Sequence, residues 1–340
     1  MPPATPPHPS RRTLAKASAL GLATAFAATR PALAARPAPG STGPSGAVQT
    51  RAGEALAPAG VTATRLGPRT YDLSVPSAAL GRTAPVRVIL PASHAAHPAR
   101  TWPVLHLLHG AHDDYTSWTR ETDIERFTYD RDVIVAMPDG GPTGIPTRWR
   151  DGTDYETFQV AEVPAVLARD FRASGTQAVA GVSTGGYGAM AHAARNPGRF
   201  AAAASYSGIL DTTYPGVPAV VDAIVARENL PPRSLWGSPL LNVGTWRDFN
   251  PRARASGLRG TALYVSTGSG VAGDGGDELL PRVLESLLWP AVQSFTALLR
   301  LMRLGATTHL YAGGEHGWNY WQREFTASWP LLARALGVPA

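Results

Sequence analysis

The feature that most constrains the fold of this chain is a series of short apolar runs, each ending in a glycine or proline turn. Five of them lie between residues 102 and 268: WPVLHLL, DVIVAMP, TQAVAG, FAAAASYSG and TALYVSTG. They are too apolar to alternate with polar residues, which is typical of parallel strands covered on both faces. Two earlier runs, YDLSV and PVRVIL, favour an antiparallel pair.

Helical stretches separate the apolar runs, at about residues 158–171, 185–196, 279–304 and 321–336. This alternation predicts a three-layer α/β sheet in one domain of about 270 residues. Residues 211–260, which include Trp236, Trp246 and several prolines, interrupt the alternation. We expect an insertion over the carboxyl edge of the sheet, where ligands of open α/β sheets bind.

A serine lies between glycines in GVSTGGYGAM, residues 181–190. Such clusters are usually turns, because glycine adopts positive φ at no steric cost and serine bonds its neighbouring backbone. Here a predicted strand precedes the cluster and a helical stretch follows it, as in the strand-turn-helix elbow that presents a nucleophilic serine. We therefore interpret Ser183 as a nucleophile.

A serine hydroxyl needs a base to take its proton. Three histidines follow Ser183: His192 in the next helix, His309 in the apolar run THLYA, and His316 in a glycine-rich loop after that run. Only the loop can bring an imidazole back over the sheet edge, so His316 is the predicted base. For the acid, the residues leave Asp274 and Asp277 open, in the loop after TALYVSTG.

Acyl chemistry also needs two backbone N–H groups at the developing oxyanion. One is expected from Thr184, the residue after the nucleophile, and the other from Ala111, in the loop after WPVLHLLHG.

These residues together resemble the esterase family that includes the secreted mycolyltransferases of mycobacteria and corynebacteria, the fibronectin-binding antigens. The likeness extends from about residue 70 to 330. The motifs that carry it are HGAHDDYTSW, MPDGG, YETFQVAEVP, GVSTGGYGAM, LWGSP, FNP and HGWNYW.

The resemblance implies an α/β-hydrolase fold, with a three-layer sandwich around a mostly parallel sheet, and a serine esterase or acyltransferase activity. It places the acid at Glu285, in VLESLLWPAVQSF, ahead of Asp277, and it implies that His109 and Trp318 contact substrate. The expected substrate is an acyl ester of a lipid or of an acylated carbohydrate.

Two alternatives stay open. One is a mycolyltransferase or diacylglycerol-acyltransferase-like transferase to a sugar or glycerol hydroxyl, and the other is an inactive surface-binding homologue. The mycolyltransferases have Asp-Gly and a nearby arginine that help hold trehalose, where this chain has His109, Gly110 and His112.

The N-terminus predicts export. Arg11 and Arg12 precede the apolar stretch ASALGLATAFAAT and the A-x-A pattern at residues 32–34, the arrangement of a twin-arginine signal peptide. Residues 35–62, rich in Pro, Gly and Ala, predict a flexible tether before a catalytic domain at 63–340.

Charge and composition exclude several classes of protein. The chain carries a formal charge of +6, but residues 1–34 hold four basic residues and no acid, so the remainder is close to neutral. Nucleic-acid binding is therefore not expected, and neither is a transmembrane span.

No cofactor or metal is expected. There is no cysteine, which excludes thiolate chemistry and disulfides. GSGVAG at 268–273 matches a dinucleotide fingerprint only formally, because no helix opens on its last glycine. His106, His109 and His112 are spaced so that they do not converge along a strand.

Overall fold

The computed structural model describes residues 60–271 and 279–340. Within them the chain forms a single nine-stranded sheet. The strands are β1 (Thr62–Arg65), β2 (Thr70–Ser77), β3 (Arg82–Ile89), β4 (Trp102–Leu108), β5 (Ile134–Pro138), β6 (Ala173–Val182), β7 (Ala202–Tyr206), β8 (Ala262–Gly268) and β9 (Ala306–Tyr311).

Helices cover both faces of the sheet. They are α1 (Ser117–Glu121), α2 (Ile124–Phe127), α3 (Tyr155–Thr157), α4 (Val163–Phe171), α5 (Thr184–Arg195), α6 (Val217–Arg227), α7 (Val243–Asp248), α8 (Leu279–Leu301) and α9 (Trp318–Leu336). A π-helical segment (Phe158–Glu162) joins α3 to α4, and a 3₁₀ turn (Ala255–Leu258) precedes β8. None of these helices is long and apolar enough to cross a bilayer.

The strand order is β1-β2-β3-β5-β4-β6-β7-β8-β9. Strands β1, β2, β3 and β5 pair antiparallel in that order, and every pair from β5-β4 to β8-β9 is parallel. The predicted three-layer α/β-hydrolase fold and the antiparallel β2-β3 pair are confirmed.

Alternation along the strands builds a core on each face of the sheet. In β6, Ala178 and Ala180 pack on one face with Phe325 and Trp329 of α9. Val179, between them, belongs to the core on the other face, beneath α5 and α8. The apolar runs therefore bury both faces of the strand, which is why they do not alternate in sequence.

The structure differs from the sequence prediction in three places. Strand β1 begins at Thr62, the last residue of the predicted tether, and its four side chains are all exposed, so it has no apolar pattern. The helix predicted at 158–171 is π-helical over its first five residues. Helix α9 starts at Trp318, three residues earlier than predicted.

Several predictions lie outside the described residues. These are the signal peptide at 1–34, the tether up to residue 59, and the two candidate acids Asp274 and Asp277.

Candidate active site

Ser183 lies in the sharp turn between β6 and α5. Its φ of +54° is in the left-handed region, which non-glycine residues rarely adopt. A Cβ on Gly181 would come within 2.3 Å of the Gly185 carbonyl oxygen, and one on Gly185 within 2.4 Å of the His109 carbonyl oxygen. Because a Cβ would not fit at either position, the two glycines allow the turn to pack against the end of β4.

His316 comes from the loop between β9 and α9. Its Nε2 lies 2.8 Å from Ser183 Oγ, and its Nδ1 lies 2.8 Å from Glu285 Oε2. The imidazole is almost buried and packs against Trp321 edge to face, with ring centroids 5.0 Å apart. The ring is thus held with one nitrogen toward the serine and the other toward the carboxylate.

Glu285 is fully buried in the second turn of α8. Its Oε1 accepts three hydrogen bonds, from Ser207 Oγ (2.8 Å), Thr267 Oγ1 (2.9 Å) and the Gly268 amide (2.7 Å). Burial is the largest influence on its pKa and raises it, but the contact with His316 and the bonds from Ser207 and Gly268 outweigh burial. The net pKa of Glu285 lies below its usual value, so this carboxylate is ionised at neutral pH.

Sequence reasoning missed the residues that hold Glu285 in place. Ser207 follows β7 with a φ of +52°, and its Oγ also accepts a hydrogen bond of 3.2 Å from Trp321 Nε1. Trp321 therefore contacts His316 directly and Glu285 through Ser207. The available signal was the position of Ser207 at the end of a parallel strand, because these strand ends meet at one edge of the sheet.

The two backbone amides predicted for an oxyanion lie beside Ser183. Thr184 is the first residue of α5, and neither its N–H nor that of Ala111 has an acceptor in residues 60–271 and 279–340. A Cβ on Gly110 would lie 3.4 Å from Ser183 Cβ, so the loop carrying Ala111 passes close to the serine. An anion here would also face the positive end of the α5 dipole.

His109, predicted to contact substrate, is buried and joins two loops. Its Nδ1 donates to the Gly110 carbonyl oxygen (2.8 Å), and its Nε2 accepts from the Gly140 amide (2.8 Å). Both ring nitrogens are therefore occupied by backbone groups. This geometry gives His109 a part in shaping the Ala111 loop and leaves no ring nitrogen for a ligand.

Trp318 lies at the start of α9, two residues after His316, and is half-buried. Its indole packs edge to face on Trp118 and Trp321, with centroids 5.2 Å away in both cases. Contact of Trp318 with a ligand stays a prediction.

Three other histidines are hydrogen-bonded to residues outside the triad. His106 is fully buried, bonds Gln177, and burial lowers its pKa to about 4. His192 bonds Gln159 in the core. His309, in β9, pairs with Glu324 at 2.8 Å.

The comparison with known proteins settles the family. Residues 77–332 match the Esterase family model, which is well over half of the chain. The chain belongs to this family.

Some curated relatives of this chain are named as acyltransferases and others as esterases. It is 28% identical to the diacylglycerol acyltransferase/mycolyltransferase Ag85A of Mycobacterium ulcerans, over 78% of this chain and 81% of that one. It is 29% identical to Ag85B of Mycolicibacterium smegmatis, over 78% of this chain and 85% of that one. The chain is therefore an esterase or an O-acyltransferase.

A solved structure supports the fold of this chain. The crystal structure of Mycobacterium tuberculosis MPT51 superposes with a TM-score of 0.66 and 24% identity, covering 80% of this chain and all of the other.

Proposed function

We propose that this protein is a secreted serine esterase or acyltransferase that acts through a Ser183-His316-Glu285 triad. The observation that carries the proposal is the unbroken chain of hydrogen bonds from Ser183 Oγ through the imidazole to a buried, ionised carboxylate. The same arrangement argues against an inactive surface-binding homologue, since such a protein has no need to bury a charge behind a histidine.

The reaction proceeds in two halves. Ser183 Oγ attacks the ester carbonyl while His316 Nε2 takes its proton, and the Ala111 and Thr184 amides stabilise the oxyanion. Glu285 fixes the tautomer of His316 and stabilises the imidazolium. The intermediate collapses to an acyl-enzyme, and His316 gives the proton to the departing alcohol.

In the second half, a hydroxyl compound attacks the acyl-enzyme. His316 takes its proton, and collapse of the new tetrahedral intermediate returns the proton to Ser183. Water as the attacking group gives hydrolysis, and a sugar or glycerol hydroxyl gives acyl transfer. The names of the curated relatives favour transfer as the second candidate.

The acceptor is not expected to be trehalose. The resemblance to the mycolyltransferases implies that trehalose is held by an Asp-Gly pair with a nearby arginine in the loop after β4, where this chain has His109 and Gly110, followed by Ala111 and His112. His109 has both ring nitrogens bonded to backbone, and His112 pairs with Glu228.

A panel of p-nitrophenyl esters of increasing chain length tests the proposed activity. We expect release of nitrophenolate without any acceptor. Glycerol should give an acyl-glycerol detectable by mass spectrometry, whereas trehalose at the same concentration should give no acyl-trehalose. Absence of turnover on every ester would contradict the proposal, and trehalose acylation would return the chain to the mycolyltransferase branch.

Export through the twin-arginine route is part of the proposal, with residues 1–34 as the signal peptide, 35–61 as a tether and 62–340 as the catalytic domain. Because the route recognises the arginine pair itself, Arg11→Lys combined with Arg12→Lys should retain the protein in the cell. Immunoblots of medium and cell fractions measure this. Replacing Arg30, outside the pair, by lysine is the control, and unchanged export of the double variant would exclude the twin-arginine route.

A further inference from the structure

The insertion at residues 211–260 displays the most exposed large apolar side chains of the described residues. Leu240 and Leu241 are 84% and 86% exposed, and Val243 is about half exposed. We refer to Leu240, Leu241 and Val243 as the apolar tip. Adjacent leucines with no covering side chain are the kind of surface that marks an interaction site.

The apolar tip is held by a fixed turn. The backbone N–H of Asn242 donates to the Ser238 carbonyl oxygen (2.8 Å), and the Trp246 indole N–H donates to the Gly237 carbonyl oxygen (3.1 Å). Trp236 and Trp246, on either side of the turn, are buried and pack edge to face. The well-packed residues on either side of the turn therefore hold Leu240 and Leu241 in solvent-exposed positions.

The same packing connects the tip to the helix that follows Ser183. Trp236 contacts Tyr187 of α5, with ring centroids 5.8 Å apart, and α5 begins directly after the nucleophilic serine. Leu240 follows Trp236 by four residues, which span about 14 Å at most. Two more exposed apolar residues, Val271 and Leu279, lie near the carboxyl end of β8, at the same edge of the sheet.

Basic side chains flank the tip. Arg150, Arg233 and Arg247 are exposed, and none of these three forms an ion pair within residues 60–271 and 279–340. A Cβ on Gly237 would lie 3.4 Å from the Arg150 guanidinium, which places this charge against the turn. Two nearby carboxylates are already paired, Glu228 with His112 and Asp248 with Arg254. Burial raises the pKa of a third, Asp222, and the charge of Arg233 opposes this rise, so Arg233 lies near an acidic group without forming an ion pair with it.

We propose that the apolar tip docks this protein on an anionic lipid surface, with the leucines in the acyl boundary and the arginines on headgroup phosphates. Hydrocarbon suits the leucines, and the guanidinium group binds phosphate with charge-assisted hydrogen bonds. Docking in this orientation turns the edge of the sheet that carries Ser183 toward the surface. The docking proposal rests on the proposed function in one respect only: the lipid surface supplies the ester on which the enzyme acts.

Vesicle co-sedimentation of the purified protein tests the docking. We expect binding to phosphatidylglycerol vesicles that weakens with salt, and much weaker binding to phosphatidylcholine vesicles. Leu240→Ser combined with Leu241→Ser should weaken binding at least tenfold, because each buried leucine side chain is worth about a factor of ten. Arg233→Gln combined with Arg247→Gln should remove most of the preference for the anionic vesicle.

The matched control is Leu301→Ser. Leu301 is 79% exposed but ends α8 at the opposite edge of the sheet from Ser183, so its replacement should leave vesicle binding unchanged. Equal binding by the Leu240/Leu241 variant and the wild type would overturn the proposal. So would a wild-type dimer in analytical ultracentrifugation that the variant dissociates, since the tip would then bind a second copy.

Turnover of soluble p-nitrophenyl acetate separates docking from catalysis. The Leu240/Leu241 variant should retain it in the absence of vesicles, because the tip does not contact the triad. Wild-type turnover without vesicle binding would overturn the docking proposal alone. Vesicle binding that depends on the tip, in a protein inactive on every ester, would uphold the docking and contradict the proposed function.

Discussion

Replacing Ser183 by alanine is expected to reduce kcat for p-nitrophenyl esters by about 10⁶-fold, the scale on which loss of a nucleophilic serine acts. No other hydroxyl is hydrogen-bonded to His316 Nε2 in the described residues, so nothing substitutes for the missing Oγ. Thermal unfolding should change little, because alanine removes one oxygen from a turn that backbone bonds hold. Stopped-flow and steady-state assays measure the loss, and a fluorophosphonate probe should label the wild type only.

Ser174→Ala is the matched control. Ser174 lies in the same strand, β6, but at its opposite end, and we expect wild-type turnover and labelling. A Ser183→Ala variant that keeps more than about a tenth of the wild-type rate would mean that the nucleophile lies elsewhere.

The central part of the fold was predictable because both of its signals are local. Apolar runs that bury both faces mark β4 to β8, and the glycines at 181 and 185 mark a strand-to-helix turn where a Cβ would collide with backbone. Strand β1 was not predictable in this way, since TATR is exposed on both faces and pairs through its backbone alone. The sheet order, with β4 between β5 and β6, depends on long-range pairing that has no local pattern.

The site residues also fall into two groups, those that a local sequence pattern predicts and one that it does not. Ser183 and His316 could be placed from sequence because Ser183 directly follows β6 and His316 lies in the loop that follows β9, at the edge where parallel strands end. Glu285 lies inside a long helix, seventeen residues beyond Gly268, and reaches His316 only because α8 packs its second turn against the end of β8. Spacing pointed instead to the nearer Asp274 and Asp277, and it was the resemblance to the mycolyltransferases that favoured Glu285.

The second large effect is expected from Glu285→Gln. Three donors converge on Oε1, so the carbonyl oxygen of a glutamine must take that position and its NH₂ group must face His316 Nδ1. Nδ1 then has to accept a hydrogen bond, so the ring proton lies on Nε2. A protonated Nε2 can no longer take the proton of Ser183. We expect kcat to fall by about 10⁴-fold with little change in KM, because the lost interaction acts mainly in the transition state.

Glu324→Gln provides the control for this experiment. Glu324 is also a buried carboxylate paired with a histidine, His309, but it lies away from Ser183, so its replacement should lower stability while kcat for the folded fraction stays near the wild-type value. Asp277→Asn should be close to neutral, since its side chain is not expected to contact His316. An inactive Asp277→Asn with an active Glu285→Gln would move the acid to the loop after β8. That result would also make the bonds from Ser207, Thr267 and Gly268 a purely structural anchor for α8. It would weaken the case for acyl transfer, because Glu285 is the acid that the resemblance to the mycolyltransferases implies.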